Sequence, residues 1–372
     1  MLTYLLPTRD RPARLAATLR AIGSLSAAAH AAIGGAEVII VDNASDPPVN
    51  VEVSLANGMP VRVIRRDSNE GAAARNIGAQ AARGEWIVML DDDSYPLDAQ
   101  HIALLLEADE DVAAMGANIA LLDGKREAGG LPEVFVGCGV ALRRQAFLDA
   151  GGYDPSFDYY VEEYDLCAKL ILNGWRIVHD LRFRVRHEKI SVGRDMNRIL
   201  WRLVRNNGWV AQRYAPAAWR QAELEEIVSR YGRIAMKENA AEGYSCGMSE
   251  LLQTLDRQPQ REMSIEQFDR FTGLTSARSV CERLSREGSL GNSIRVAIVD
   301  EGKNCWAVRQ ALVECGARLV KEPDRPDVRF IGTLSPGPML DAFQRRMSLG
   351  ENVMMPANLH GHGAEFAGAA CA

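Results

Sequence analysis

Short apolar runs alternate with amphipathic stretches over the first half of the chain. The runs LTYLL (2–6), EVIIV (37–41) and EWIVML (85–90) are typical of strands that are buried on both faces. Between them, residues 12–25 carry leucines and an isoleucine at helical spacing, and the alanine-rich segment 71–82 predicts a second helix. Strands that alternate with helices predict an α/β fold with a mainly parallel central sheet.

The same patterns continue with more interruptions up to about residue 190. The apolar stretch 134–142 is broken by two glycines, and a helix is predicted over EEYDLCAKLILNG (162–174), where Asn-Gly is a good stop. The segments WRIVHD (175–180) and FRVRHE (183–188) predict two short strands. The residue pattern of 195–290 predicts a largely helical segment.

Four units follow from these patterns. Residues 1–215 form the α/β domain and 216–290 a helical region. Residues 291–360 form a small α/β accessory domain with a strand-helix-strand pattern, in which no glycine-rich phosphate loop is found. Residues 361–372 have little to pack and predict a disordered tail.

Composition and charge narrow the class of protein. A formal net charge of −6 over 372 residues argues against a nucleic-acid binder. No apolar run approaches the roughly 20 residues that span a bilayer, and the first residues lack a basic leader. The seven cysteines lack zinc or disulfide spacing. We therefore expect a cytoplasmic protein with reduced thiols.

Polar residues collect where three predicted strands end. PTRDR (7–11), DNAS (42–45) and DDDS (91–94) each follow an apolar run. Ligands of parallel sheets bind beyond the carboxyl ends of the strands, so this coincidence predicts a site. The three consecutive aspartates could hold Mg²⁺ or Mn²⁺ through oxygen ligands and leave positions for a diphosphate. A solvated loop with helix-capping aspartates is the alternative for the triplet alone.

Two further segments suit a nucleotide. Asp42 directly follows a strand, where its carboxylate could accept hydrogen bonds from a nucleobase N–H; an Asx turn is the alternative. Gly71, Arg75 and Asn76 stand at the start of a predicted helix, where backbone N–H groups and a guanidinium suit an anion. An ordinary amphipathic helix is the alternative there.

The order of the motifs PTRDR, VDNAS, NEGAAARN, LDDDS and GGYD…EEYDL resembles the family 2 glycosyltransferases with the GT-A fold. The resemblance covers roughly residues 1–215. It implies a nucleotide-sugar donor with a UDP, GDP or dTDP carrier, a Mn²⁺ or Mg²⁺ cofactor, and transfer to an acceptor hydroxyl with inversion at the anomeric carbon. The acceptor itself is unknown.

The resemblance also assigns roles to positions of this chain. It implies that the opening strand and VDNAS hold the base and ribose, that Asp91 or Asp92 contacts the ribose, and that Asp93 is a metal ligand with His187 beside it. Arg194 is added because SVGRD has the composition of a loop able to close over phosphates. The predicted donor-binding residues are Pro7, Thr8, Arg9, Arg11, Asp42, Asn43, Asn69, Gly71, Arg75, Asp91, Asp92 and Arg194.

The segment YYVEEYDL is similar to the part of the family that supplies the catalytic base. The family usually has Glu-Asp where this chain has Glu162 and Glu163, so either residue could be the base, and Glu163 is preferred. A base must reach the acceptor hydroxyl and be ionised. Crowding with Asp165 would raise at least one pKa. The alternative is an acidic first turn that complements the helix dipole.

Other functional classes stay open. A nucleotidyltransferase would usually carry glycines after the first strand, which PTRDRPARL lacks. A non-catalytic scaffold that binds nucleotide sugars is a second alternative. The helical segment around TGLT resembles a helix-turn-helix but has no basic recognition face, so a supporting hairpin is preferred. Peripheral contact with a membrane surface and the oligomeric state are not determined by the sequence.

Overall fold

The larger of two sheets lies in the N-terminal half of the chain. A computed structural model describes residues 1–189 and 195–361. Within these residues the sheet consists of β1 (Leu2–Thr8), β2 (Ala36–Asp42), β3 (Val61–Arg65), β4 (Trp86–Leu90), β5 (Ser94–Pro96), β6 (Val112–Leu121), β7 (Gly139–Arg143) and β8 (Arg176–His187). Their order across the sheet is β3-β2-β1-β4-β7-β6-β8-β5.

The first four strands form the parallel part of this sheet. β1 lies between β2 and β4, and β3 follows β2 at the edge, all in parallel pairings. β7 is antiparallel to β4 and β6, β8 is parallel to β6, and β5 is antiparallel to β8. The predicted α/β class is therefore confirmed, with the parallel arrangement confined mainly to the first four strands.

Helices cover the sheet and build most of the chain after residue 195. In the described residues they are α1 (Pro12–Gly23), α2 (Ala27–Ala32), α3 (Ala74–Ala81), α4 (Gln100–Leu106), α5 (Arg144–Asp149), α6 (Glu162–Leu172), α7 (Met196–Tyr214), α8 (Ala217–Lys237), α9 (Ala241–Thr254), α10 (Ile265–Thr272), α11 (Leu274–Arg286), α12 (Cys305–Glu314) and α13 (Pro336–Ser348). A short 3₁₀ turn, Gly71–Ala73, leads into α3. Every described helix is too short or too polar to cross a membrane.

The central strands are apolar at nearly every position because both faces of the sheet are covered. Alternate side chains enter two separate cores, with Leu5, Ile39 and Met89 in one and Leu6, Ile40 and Leu90 in the other. Thr3 in β1 and Glu37 in β2 are buried polar residues near the starts of their strands, where Thr3 Oγ1 donates to Glu37 Oε1 at 3.0 Å, and the other polar side chains follow the carboxyl ends of the strands.

The prediction of two short strands at 175–180 and 183–188 was wrong. The segment forms the single strand β8, which pairs with β6 along its length. Neighbouring residues of β6 pair with Asp180 and Arg184, so the residues between these two bulge out of the ladder. A bulge bends a strand without ending it, which explains why the pattern suggested a break.

A second sheet lies near the end of the described chain. It is made of β9 (Arg295–Val299), β10 (Arg318–Leu319), β11 (Val328–Ile331) and β12 (Val353–Met354), in the order β10-β9-β11-β12 and parallel throughout. One hydrophobic cluster is continuous from the first sheet to this one. The predicted tail lies outside the described residues, apart from residue 361.

Two buried histidines share the Tyr4 hydroxyl beside the core that contains Leu6. Tyr4 Oη lies 2.9 Å from Nε2 of both His30 and His101. Burial lowers the pKa of His101 from 6.5 to about 4 and that of His30 in the same direction. The pKa values of both histidines are lower in the folded state than in the unfolded state, so folding favours the neutral rings. Their contribution to the free energy of unfolding is fully present above pH 6.5 and is lost as the pH falls toward 4.

We therefore expect His101 to contribute a fall of roughly 2 kcal/mol in the free energy of unfolding between pH 7.5 and pH 5, seen as the difference between the wild type and a His101 variant. Urea unfolding followed by circular dichroism at the two pH values measures it. His101→Gln should reduce the pH dependence, because glutamine keeps a polar contact to Tyr4 and does not titrate. An unchanged pH dependence in this variant would show that His101 is not responsible.

Candidate active site

A cavity of about 480 Å³ opens beyond the carboxyl ends of β1 and β4. Its wall combines the residues after these strands with the loop before α6, the end of β8 and a loop of the second sheet. The charged residues that line it are Arg11, Arg75, Asp91, Asp93, Glu127, Glu162, Glu163, His187, Lys189 and Lys303. Both signs of charge therefore meet in one concave site, as expected for a functional pocket.

Each aspartate of the triplet after β4 has a cationic partner from the chain. Arg75 forms an ion pair with Asp91, and the Arg11 guanidinium bridges Asp92 and Asp93, at 2.6 Å from Asp92 Oδ1. Arg75, at the start of α3, is buried. These cations explain how three consecutive carboxylates fold beside a core, since unpaired buried charges would be very costly.

The two buried aspartates have opposite electrostatic environments. Burial, with the neighbouring carboxylates, raises the pKa of Asp92 to about 6, although Thr8 Oγ1 donates to it at 2.7 Å. Burial also acts to raise the pKa of Asp93, but hydrogen bonds from His187 and Arg11 outweigh it and lower this pKa to about 2. Asp93 is therefore ionised at neutral pH, whereas Asp92 takes up a proton at a higher pH than an ordinary aspartate does.

His187 stands between two carboxylates at the end of β8. Its Nε2 lies 3.3 Å from Asp93 Oδ1 and its Nδ1 lies 2.8 Å from Glu127 Oε2. Burial acts to lower the pKa of His187, but its bonds to Asp93, Cys138 and Glu127 raise it to about 12. Glu127 was not predicted as a site residue, because it follows a polar turn and its partner His187 lies 60 residues further along the chain.

The residues around His187 fit a divalent cation. Ligand atoms of Asp91, Cys138 and His187 lie within 4.8 Å of one another, and Asp93 Oδ1 faces the same imidazole. Carboxylate oxygens suit Mn²⁺ and Mg²⁺, and the imidazole would bind such a cation once Nε2 gave up the proton that faces Asp93. Burial raises the pKa of the Cys138 thiol to about 11, so this soft ligand stays protonated. A carboxylate on the second ring nitrogen, as Glu127 provides, is typical of metal-binding histidines.

The loop before α6 is held in a costly backbone conformation. Asp158, Tyr160 and Val161 have φ values of 60°, 70° and 73°, in the left-handed region that β-branched residues rarely adopt. Asn206 on α7 donates to the carbonyls of Tyr159 at 3.1 Å and Tyr160 at 2.7 Å. Such outliers persist only where surrounding bonds enforce them. Here they turn the first residues of α6 toward the cavity.

Glu162 and Glu163 begin α6 in the cavity wall. Glu162 is buried and its Oε2 has no hydrogen-bond partner in the described residues, whereas Glu163 Oε1 accepts from the Gly137 N–H at 3.2 Å. Burial, followed by the Glu163 charge, raises the pKa of Glu162 well above its usual range. Burial also raises the pKa of Glu163, but backbone N–H groups oppose it. Glu162 therefore keeps a shared proton and Glu163 is the carboxylate.

Asp42, the predicted nucleobase contact, binds groups of its own loop and of β3 in the structure. Its side chain is fully buried and accepts from the Ser45 N–H at 2.9 Å, the Val49 N–H at 3.0 Å and Arg65 at 2.6 Å. The carboxylate thus closes its own loop, as the Asx-turn alternative implied. The contact of Asp42 with a nucleobase stays a prediction.

The remaining predicted donor residues lie around the cavity without lining it. Asn43 bridges the Glu70 N–H and the Gly71 carbonyl, and Asn69 accepts from the Gly71 N–H at 3.0 Å. Arg9 is half-exposed. Pro7 and Thr8 end β1 beside the triplet, and Arg194 lies outside the described residues. The structure therefore brings Arg11, Arg75, Asp91, Asp93, Glu162, Glu163 and His187 together in one cavity wall.

Comparison with known proteins adds a family match. Residues 3–147 match the family described as glycosyl transferase family 2. The chain is 28% identical over 223 residues to an uncharacterized glycosyltransferase of Haemophilus influenzae, covering 51% of this chain and 70% of that protein. It is 30% identical over 185 residues to the pre-mycofactocin glycosyltransferase of Mycobacterium tuberculosis, covering 43% of this chain and only 39% of that protein.

A similar solved structure is that of S. aureus TarS, residues 1–349, in complex with UDP-GlcNAc. The TM-score is 0.49 at 14% identity, and the match covers 84% of this chain and 90% of that one.

Proposed function

We propose that the chain moves a sugar from a nucleotide-diphosphate donor to an acceptor hydroxyl with inversion. The match of residues 3–147 to glycosyl transferase family 2, the family that the sequence motifs resemble, supports this proposal. The observation that supports this reaction is the shared cavity. Asp93 and His187 line it together with Glu163. A site for the diphosphate and a base for the acceptor thus face the same space.

The donor end of the cavity is the proposed diphosphate site. Asp93 and His187 would hold Mn²⁺ or Mg²⁺, with Asp91 within reach. When bound, the cation offsets the charge that builds on the departing diphosphate. Arg11 and Arg75 stand beside it and add positive charge for the same oxygens.

The acceptor end contains the proposed base. Glu163 takes the proton of the acceptor hydroxyl at Oε2, while the Gly137 N–H holds Oε1. The hydroxyl oxygen forms a bond to the anomeric carbon as the bond to the diphosphate oxygen breaks, and the diphosphate leaves with the electron pair. A single displacement from the opposite face inverts the configuration. Glu162 is protonated, so it cannot accept the proton of the hydroxyl. Its neutral form also adds no negative charge beside Glu163.

A thermal-shift panel tests the donor site. At saturating concentrations, one of UDP, GDP or dTDP should raise the melting temperature of the chain by roughly 5 °C in the presence of Mn²⁺, because ligands stabilise the state that binds them. Without metal the shift should be much smaller. Asp93→Asn should remove the metal-dependent part of the shift, since it takes away the charge that faces His187.

Asp98→Asn is the matched control, because Asp98 pairs with Arg184 on the surface and does not line the cavity. It should keep the full metal-dependent shift. The metal assignment is contradicted if Asp93→Asn retains that shift, and the proposed function is contradicted if no nucleotide or nucleotide sugar stabilises the chain.

A further inference from the structure

The second sheet contributes a residue to the cavity. Lys303 lies in the loop between β9 and α12 and lines the cavity together with Glu163. This loop follows the carboxyl end of β9, and in parallel sheets that is the edge at which ligands bind. The small α/β unit therefore faces the acceptor side with its own ligand-binding edge.

The loop that carries Lys303 is fixed at three points. The Gly302 N–H donates to the Gly332 carbonyl and the Leu334 N–H donates to the Lys303 carbonyl, both at 2.9 Å. Asn304 Nδ2 donates to the Thr272 carbonyl at the end of α10, at 2.8 Å. A side chain on so constrained a backbone is held in place, as a binding residue needs to be.

The Lys303 ammonium is a cation without an anionic partner among the described residues. It donates to Tyr164 Oη and lies 4.2 Å from the centre of the Tyr164 ring. Burial lowers the pKa of Lys303 to about 7, with Arg230 acting in the same direction and Glu163 against it. A partly buried ammonium that forms no ion pair within the described residues, and is stabilised only by a hydroxyl, a ring and the Glu163 charge at longer range, is costly.

The other cations of the cavity wall are all paired. Lys189 lies 2.5 Å from Glu127 Oε1, and Arg11, Arg75 and His187 each contact an aspartate. Among the cations that line the cavity in the described residues, Lys303 is thus the one without an ion pair, and it can bind a negatively charged group of a ligand.

The space beside Lys303 is large enough for a substantial acceptor. A second, more open groove of about 980 Å³ shares Lys303, Ala128 and Gly129 with the cavity and runs along α13. Its wall is anchored where Ser335 Oγ donates to the Gly129 carbonyl at 2.6 Å. An acceptor could reach from this groove to Glu163 and pass Lys303 on the way.

We propose that Lys303 binds an anionic group of the acceptor, a carboxylate or a phosphate, and so selects acidic acceptors for the reaction at Glu163. This inference rests on the proposed function, since it concerns the acceptor of the same site. Lys303 is a specificity residue here and takes no part in the bond exchange.

Kinetics with paired acceptors provide the first test. Methyl glucoside is compared with methyl glucuronoside, and glucose with glucose 6-phosphate, so that the two arms separate carboxylate from phosphate. With wild-type chain and the donor found in the thermal-shift panel, kcat/KM should favour one charged member by about tenfold, the size expected for a hydrogen bond to a charge. Lys303→Met should remove this preference and leave the donor KM unchanged, whereas Lys303→Arg should keep part of it.

Lys321→Met is the matched control, because Lys321 is exposed in the same unit and does not line the cavity. It should behave as the wild type. Equal loss on charged and neutral acceptors in Lys303→Met, or a raised donor KM, would overturn the proposal while leaving the glycosyltransferase assignment intact.

If none of these sugars is glycosylated, a labelling experiment tests directly whether Lys303 binds the anionic group. The full chain is acetylated with an N-hydroxysuccinimide ester at pH 7, and the modification of Lys303 is measured by mass spectrometry relative to Lys321. Glucuronate or glucose 6-phosphate should slow the labelling of Lys303, whereas glucose, acetate and inorganic phosphate at the same concentration should not. Equal protection by neutral and charged sugars, or no protection, would overturn the proposal without any need for turnover.

Discussion

Glu163→Gln is expected to lower the rate of sugar transfer by about 10²–10⁴-fold, the usual contribution of a general base. Glutamine keeps an oxygen for the Gly137 N–H that orients Glu163, so the fold should be retained and only the basic oxygen is lost. The donor KM and the metal-dependent thermal shift should stay near their wild-type values. Initial rates of nucleotide release at saturating donor and acceptor measure the effect.

The neighbouring Glu162→Gln is the matched control for this variant. Because Glu162 carries the proton of the pair, its replacement by an amide changes no charge at neutral pH and should have a much smaller effect. If Glu162→Gln abolished transfer and Glu163→Gln left it near normal, the roles of the two residues would be reversed.

The pH profile gives an independent check on the same residue. Burial raises the pKa of Glu163 above its ordinary 4.5, so the rate should fall as the pH decreases through this raised value. In Glu162→Gln the acid limb should remain where it is, since a protonated Glu162 adds no charge. An acid limb near the pKa of a free glutamate would contradict the buried environment of the base.

The sequence could predict which polar segments are neighbours because of how parallel strands meet. Thr8 and Asp42 are register partners at the ends of β1 and β2, and β4 ends next to them. The polar segments after these strands are therefore neighbours in space, as their pattern indicated. The buried strands themselves were equally predictable, because a strand covered on both faces must be apolar at nearly every position.

What the sequence could not predict are pairings between distant segments. Arg11 and Asp92 are 81 residues apart, and nothing in their local patterns indicates that the arginine offsets the triplet. Glu127 reaches His187 because Arg126 anchors its turn to Asp341, 215 residues further on. Lys303 stands in a loop without a recognised motif. Such contacts depend on how elements pack, and local propensity carries no information about that.

Local patterns also left out some partners and one strand. The contact of Asp42 with a donor stays a prediction; in the structure two backbone N–H groups and Arg65 bind its carboxylate, and the local pattern did not specify Arg65. The ten-residue strand β6, with its run of alanines, was missed because alanine has a low preference for strands. In both cases tertiary packing decided the outcome.

The largest loss of stability is expected for Asp165→Ala, at about 3–5 kcal/mol. Asp165 is fully buried on α6, and its Oδ1 accepts from Arg213 and from the Tyr214 hydroxyl, each at 2.8 Å. Its Oδ2 lies 2.6 Å from Lys169 Nζ. Removing the carboxylate leaves the Tyr214 hydroxyl without its acceptor, and Arg213 and Lys169 keep only Asp154, Gln258 and the Gly152 carbonyl as partners. A buried charge that is poorly compensated costs more than the pair contributes. Urea unfolding followed by circular dichroism measures the loss.

Glu287→Ala is the control, because Glu287 and Arg283 form an exposed pair one turn apart on α11, where the loss should stay below about 0.5 kcal/mol. Asp165→Asn should fall between the two, since the amide keeps one acceptor but not the charge.

Because Asp165 connects α6 to α7, and Asn206 of α7 holds the loop before Glu162, the loss of Asp165 should also loosen the start of α6. Asp165→Ala should therefore reduce the rate of transfer even at temperatures at which the variant is folded. If Asp165→Ala lowered the free energy of unfolding as little as Glu287→Ala, the ion pair with Asp154 alone would be enough for Arg213.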